Sequence, residues 1–251
     1  MWKCSQVFAV VAVSVVSCSA APQELRSVST VLPTTASPPA VAAPTEPAPS
    51  NAVVAEPVAA TVATLLDRIV VLPELADVPG YERSCKQDKA CVFGPAWTDT
   101  EHTGCDTRNR VLRVQLTDVV YKAGTHDCKV ISGVLNDPYS GSTIAFVTGG
   151  PSEVEIDHVY ALARAWDAGA SNWTYEERVQ FANDTDNLLA VSKAANSAKS
   201  DSGPGDWMPD NTAFRCLFVH TYLSVAAKYQ LAITEDDRAA SIAACAGEPR
   251  R

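Results

Sequence analysis

Only part of this chain has the composition of a folding sequence. Eight of the sixteen prolines fall between Pro22 and Pro57, in a stretch without an aromatic residue. A Pro/Ala/Thr-rich segment of this kind cannot bury enough apolar surface to offset the entropy of ordering it. Residues 22–60 are therefore expected to be a disordered stalk. Folding is then confined to residues 61–251, a length that suits one domain. The chain is 47% hydrophobic and 20% charged, which allows that domain a substantial core. Its formal charge is −9, and from Cys85 onward 16 Lys and Arg face 22 Asp and Glu, a net of −6. There is no basic tail or stripe. That argues against a protein held on nucleic acid by bulk electrostatics, but not against an enzyme that meets a phosphate through a metal ion.

Residues 1–21 read as a secretory signal peptide. Lys3 precedes an apolar run from Val7 to Val16, and small residues follow from Ser17 to Ala21. The run is shorter than the about 20 apolar residues that a membrane-spanning helix needs. Two processing outcomes are open. Val15-Val16-Ser17-Cys18 resembles a bacterial lipobox, which would place a lipid anchor on Cys18 and use the stalk as a spacer. Ordinary cleavage near Ala20 or Ala21 would instead release the protein. Either way the chain is expected to be exported, as an extracellular protein or a cell-surface lipoprotein.

Cysteine parity agrees with export. Cys4 and Cys18 belong to the leader, and six remain: Cys85, Cys91, Cys105, Cys128, Cys216 and Cys245. Six cysteines permit fifteen pairings. Proximity in sequence favours Cys85–Cys91, Cys105–Cys128 and Cys216–Cys245. A zinc site is disfavoured, because no Cys-x-x-Cys pair and no histidine at ligand spacing accompanies them.

The hydrophobic pattern predicts an α+β fold, helix-rich, with a small antiparallel sheet. Residues 62–71 read as a helix stopped before Pro73, and Asn109 to Leu116 as another. Lys129–Leu135 and Ser142–Val147 flank Asp137-Pro138-Tyr139-Ser140-Gly141 as a hairpin. Glu153 to Asp157 alternates as a strand running into His158, and Val159 to Asp167 takes helical spacing up to Gly169. Thr174-Tyr-Glu-Glu177 is a capping box opening a helix to Ala182. Leu188–Val191 is a short strand, and Ser192 caps a helix through Lys199. Asn211 is expected to cap a longer helix with Phe214, Leu217, Phe218, Val225 and Tyr229 on one face, and Thr234 to begin the last helix.

Chemistry concentrates in one segment: Glu155-Ile-Asp157-His158, then Asp184-Thr-Asp186-Asn187, then Asn196-Ser-Ala-Lys199. An acid directly before a histidine at a strand end offers a hard oxygen ligand and a titratable imidazole to one centre. Asn196 and Lys199, three apart on a helix, project from one face. Asn187 lies nine residues before Asn196.

Further motifs extend beyond this segment: Gly94-Pro-Ala-Trp-Thr-Asp99, Gly104-Cys-Asp-Thr-Arg-Asn109, Gly124-Thr-His-Asp-Cys128, Leu135-Asn-Asp-Pro-Tyr-Ser-Gly141, Phe181-Ala-Asn-Asp184, Trp207-Met-Pro and Phe214-Arg-Cys216. Together they resemble the HNH endonucleases with the ββα-metal (His-Me finger) fold, in particular exported single-domain proteins related to the DUF1524 (GmrSD C-terminal-like) group. The resemblance covers roughly residues 80–245. The spacing of Asp-His, Asn and Asn-x-x-Lys is also similar to that in the HNH domain of RNA-guided nucleases.

The resemblance implies a metal-dependent endonuclease that hydrolyses phosphodiester bonds of nucleic acid, DNA above all, with little sequence specificity. Asp157 and Asn196 would hold one divalent ion, and oxygen donors of this kind suit Mg²⁺ or Mn²⁺. His158 would be the general base, Asn187 an orienting residue, and Lys199 a partner for the scissile phosphate. The sequence departs from the commonest motif where Val-Tyr-Ala161 follows His158 in place of x-x-Pro, and where Asn196 stands at a position often held by histidine.

Arg108, crowded with Asp106 and Asn109 at a helix start, is open to two readings: a structural salt bridge and cap, or a phosphate contact. Tyr139 in the hairpin turn is a second substrate-binding candidate. His102 and His126 fall in polar loops, His220 reads as packing, and Trp97, Trp166, Trp173 and Trp207 read as core or rim. The competing function is a non-catalytic, membrane-tethered surface or binding protein that retains the fold.

Overall fold

In the computed structural model, residues 58, 61–151 and 153–246 are described, and all belong to one compact unit, Ala48–Arg251. The leader, the lipobox-like Cys18 and the stalk up to residue 60, residue 58 apart, lie outside the described residues.

The elements run α1 (residues 61–66), β1 (Val71–Leu72), α2 (Thr107–Gln115), β2 (Thr117–Tyr121), β3 (Val130–Asn136), β4 (Thr143–Val147), β5 (Val154–His158), α3 (Leu162–Asp167), α4 (Tyr175–Ala182), β6 (Leu188–Ser192), α5 (Lys193–Lys199), α6 (Arg215–Tyr229), β7 (Ile233–Thr234) and α7 (Glu235–Cys245). The fold is mixed α and β. The expected single small sheet is instead three: antiparallel β2-β3-β4, antiparallel β5-β6 and parallel β1-β7.

Where local chemistry is strong, sequence and structure coincide. The Thr174 capping box closes at the start of α4, with Thr174 Oγ1 accepting from Glu177 N, and Ser192 caps α5 through Ala195 N. Thr234 likewise opens α7. The β3–β4 hairpin turns on Asp137, whose carboxylate accepts from the Tyr139 and Ser140 amides.

Where partners lie far along the chain, the structure differs. The expected helix over 62–71 ends at residue 66, because Val71 and Leu72 pair with Ile233 and Thr234, and the Ile69-Val70-Val71 run prefers extended backbone. Strand β2 was not expected. Its alternation is broken at Asp118, which is left-handed with φ 49°, and by register shifts against β3. The helix expected from Asn211 starts at Arg215, after a 3₁₀ turn over Thr212–Phe214. Asn211 Nδ2 donates to Pro138 O rather than capping, and Leu217 faces solvent.

One core cluster gathers α3, α4 and α6 around Tyr160, Phe181, Phe218 and Tyr222, and a second packs α2 against β3, β5 and β6. All three disulfides pair as sequence proximity favoured. Cys216–Cys245 joins α6 to the end of α7, and Cys105–Cys128 ties the start of α2 to the β2–β3 loop. Cys85–Cys91 staples a segment that carries no regular element between β1 and α2.

Candidate active site

Strands β5 and β6 pair so that Asp157 stands opposite Leu189 and His158 opposite Leu188, and α5 follows directly from β6. Two antiparallel strands and a helix thus bring the three polar clusters of the sequence together. They converge because β5 and β6 are neighbours in the sheet, although the 29 residues after His158 separate them in the chain.

Asn187 is fully buried at the entrance to β6. Its Oδ1 accepts from Tyr160 N at 2.7 Å and its Nδ2 donates to Tyr160 O at 3.1 Å, while its own carbonyl accepts from Val159 N at 2.9 Å. The amide fastens the backbone just after His158 and touches no open space.

His158 is 6% exposed, and its Nε2 lies 2.8 Å from Ala182 O. A carbonyl can only accept, so Nε2 carries the proton and the neutral ring keeps its lone pair on Nδ1. Among the described residues Nδ1 makes no hydrogen bond. Burial, with the charges of Arg83 and Lys199, pushes the imidazolium down to about 3, against the Ala182 hydrogen bond that favours it. The ring is therefore neutral across the neutral pH range. Trp97 lies parallel to it, with ring centroids 6.4 Å apart, and the Arg108 guanidinium sits 5.9 Å from the Trp97 ring centroid.

Asp157 is buried with both oxygens engaged. Lys199 Nζ donates to Oδ1 at 3.0 Å and Tyr139 OH to Oδ2 at 2.7 Å. Burial raises its carboxyl above the ordinary value, and the ammonium and phenol oppose that rise. Accepting a donor at each oxygen is the pattern of the ionised form. Lys199 is 0% exposed and also donates to His158 O at 2.9 Å. It therefore anchors the Asp157-His158 backbone from inside. The expectation that it meets a phosphate does not fit a fully enclosed ammonium. Tyr139 is also 0% exposed, packed edge-on against Trp207 and Phe218, so its expected substrate contact is replaced by the bond to Asp157.

Asn196 is half-buried one turn earlier on α5. Its Nδ2 donates to Glu155 Oε2 at 2.7 Å, which makes Oδ1 the acceptor atom of the amide. Arg108 is partly buried beside this pair, with Nη2 3.4 Å from Val154 O, and burial lowers its basicity while Asp106 and Glu155 support the charge. It reaches the neighbourhood of the site and is held there by structural contacts. The N-cap work falls to Asp106, which accepts from Asn109 N.

Asp157, His158 and Asn196 all line one polar cleft of about 340 Å³, together with Arg83 and Asp201. A second cavity of about 150 Å³ also borders His158, lined among others by Arg83, Phe93, Trp97 and Asn183. Arg83 was not singled out from the sequence. It is exposed, borders both spaces and makes no ion pair among the described residues. Nothing in Glu82-Arg83-Ser84 distinguishes it from a solvated surface charge. Trp97 was read as packing, and its left-handed backbone, φ 64°, is not visible in sequence.

Among the described residues, no three His, Cys, Asp or Glu side chains gather as a metal cluster. The cleft instead offers two oxygen donors of the hard type, the Asp157 carboxylate and Asn196 Oδ1. Such a set fits a small divalent ion that keeps several waters, as Mg²⁺ does.

No helix among the described residues is long and apolar enough to cross a membrane. The chain is 36% identical over 186 residues to an uncharacterized secreted protein of Arthroderma benhamiae, covering 73% of this chain and 83% of that one. No solved structure matches. Residues 106–243, which hold β5, β6, α5 and every site residue except Arg83 and Trp97, match the C-terminal domain of the GmrSD restriction endonucleases. The chain belongs to that nuclease family.

Proposed function

We propose that this protein is an exported endonuclease that hydrolyses phosphodiester bonds of nucleic acid with one divalent ion, Mg²⁺ or Mn²⁺, and His158 as general base. The observation that carries the reading is the convergence of Asp157, His158 and Asn196 on one cleft, with the His158 lone pair on Nδ1. The strand pair β5–β6 with α5 is read as the ββα-metal core of the HNH nucleases.

Asp157 and Asn196 would hold the ion, and when bound it would polarise the phosphoryl oxygens and stabilise negative charge on the leaving oxygen. The chain supplies the remainder. His158 Nδ1 accepts a proton from a water whose oxygen bonds to phosphorus. The bond from phosphorus to the 3′ oxygen breaks, and that oxygen takes a proton from solvent. The products carry 5′-phosphate and 3′-hydroxyl ends. The Ala182 carbonyl holds the tautomer, Asn187 fixes the loop, and Lys199 with Tyr139 hold the Asp157 carboxylate in place. Arg83, exposed at the cleft, is the guanidinium free to meet a phosphate. It takes the part that the buried Lys199 cannot.

Export is supported by the secreted relative, by the signal-like leader and by three disulfides, which persist in oxidising compartments. A lipid on Cys18 would tether the protein through the stalk.

The test incubates the disulfide-bonded protein with plasmid DNA and total RNA in Mg²⁺, in Mn²⁺ and in EDTA, beside a folded His158→Ala variant. Cleavage that needs metal and disappears in the variant is expected. Absence of cleavage from folded protein with both metals and both substrates would overturn the reading in favour of a tethered binding protein.

A further inference from the structure

His158 lines two spaces, and the proposed chemistry uses one. The other, about 150 Å³, is bounded by Phe93, Trp97, Ala182, Asn183 and Arg83. A cavity of roughly 150 Å³ accepts one benzene-sized ring. Its lining includes the rings of Phe93, which is 2% exposed, and of Trp97, which is half-buried.

One buried polar group in this wall has no partner. Asn183 is 1% exposed, and its Nδ2 donates to Val179 O at 2.9 Å. That bond fixes the amide orientation, because a flipped amide would set oxygen against oxygen. Oδ1 is then an acceptor, and it is buried without a hydrogen bond. Buried acceptors are almost always satisfied, and this one, enclosed beside the cavity, is not.

One residue of the wall, Trp97, is left-handed, which costs a residue with a side chain, and Gly94 takes φ +72° where an added Cβ would lie 2.5 Å from Val179 Cγ2. The Cys85–Cys91 disulfide staples the same segment, with Cys85 lining the cavity. Strain of this kind persists where the surroundings over-determine it, and it is concentrated at ligand sites.

We propose that this cavity is a nucleobase subsite, which takes one unpaired base of the nucleotide next to the cleaved bond. Nucleobases are flat rings, matching the aromatic lining of this cavity. Arg83 borders both spaces and would bridge the base to its phosphate. A base inside a duplex reaches such a pocket only after extrusion, so single strands are the favoured substrate. The inference rests on the nuclease reading for the identity of the ligand.

The test walks a single abasic residue along short single-stranded oligonucleotides and measures cleavage by the full chain in Mg²⁺. In parallel, tryptophan fluorescence follows binding of the intact and abasic strands in EDTA. One position beside the cleaved bond should lower kcat/KM by roughly 5- to 150-fold when the base is missing, the range of base–aromatic stacking. Ala96→Phe, which narrows the cavity from an exposed position, should melt as the parent does and lose this discrimination. Metal-dependent cleavage with equal rates for every abasic position would overturn the subsite and leave the nuclease standing. Base-dependent binding without cleavage would sink the nuclease and leave the subsite. Neither effect would overturn both.

Discussion

Lys199→Met separates an internal anchor from a phosphate contact. The Lys199 and Asp157 side chains are 0% and 5% exposed, with Nζ 3.0 Å from Oδ1 and 2.9 Å from His158 O. Methionine retains most of the apolar stem but leaves a buried carboxylate with Tyr139 as its one remaining donor. Removing one partner of a buried pair costs about 3–5 kcal/mol, because the other charge stays desolvated. For a domain of this size each kcal/mol moves Tm by about 2–4 °C, so Tm should fall by roughly 6–20 °C. Thermal unfolding followed by circular dichroism measures it. Asp157→Asn and the double variant complete a cycle, in which the double should be less destabilised than the sum by about 0.5–3 kcal/mol. A lysine that met the phosphate would lose activity and keep its Tm. A Tm within about 2 °C of the parent, together with an additive cycle, would refute the anchoring role.

Three further outcomes follow from the same structure. Tyr139→Phe keeps the ring packing but removes the donor to Asp157 Oδ2, and should cost about 1–3 kcal/mol in denaturant unfolding. An unchanged midpoint would show that the phenol does not hold the carboxylate. His158 is neutral when folded, with its pKa near 3 against 6.5 in the free side chain, so the unfolded chain binds more protons between those values. Its contribution therefore falls as pH drops from 6.5 toward 3, by at most about 1.4 kcal/mol per pH unit. Asp157, raised by burial, contributes with the opposite sign just above 3.8. Subtracting the pH dependence of a His158→Gln variant, measured without metal, isolates the histidine part, and a flat difference would contradict its burial. Replacing Cys105 and Cys128 by serine opens a loop with a sequence separation of 23 and should lose about 3 kcal/mol, read from the denaturation midpoint under oxidising conditions. No loss would place the constraint elsewhere.

Much of the site was legible because its chemistry is local in sequence. Asp157-His158 ends a strand whose alternation is plain, and Ser192 caps a helix that carries Asn196 and Lys199 at a three-residue spacing. These signals act over one turn or one pleat, so neighbours alone determine them. The disulfide pairing was equally readable, because the six cysteines bond in successive pairs along the chain.

What those residues do was decided by tertiary packing. Whether a lysine at a helix end faces solvent or lies beneath a strand depends on what packs over it. Here β5 covers Lys199 and turns an expected phosphate contact into an anchor. Tyr139 sits in a hairpin turn, where exposure is the usual outcome. Phe218 and Trp207, far along the chain, bury it against Asp157. Arg83 and Trp97 come from a segment without periodicity and reach His158 only through long-range packing. Strand β1 exists because β7 supplies its partner from about 160 residues away. The sequence by itself determined which groups were present and how they were spaced along each element. Burial, which depends on contacts between distant segments, determined which charges meet one another and which are left for a ligand.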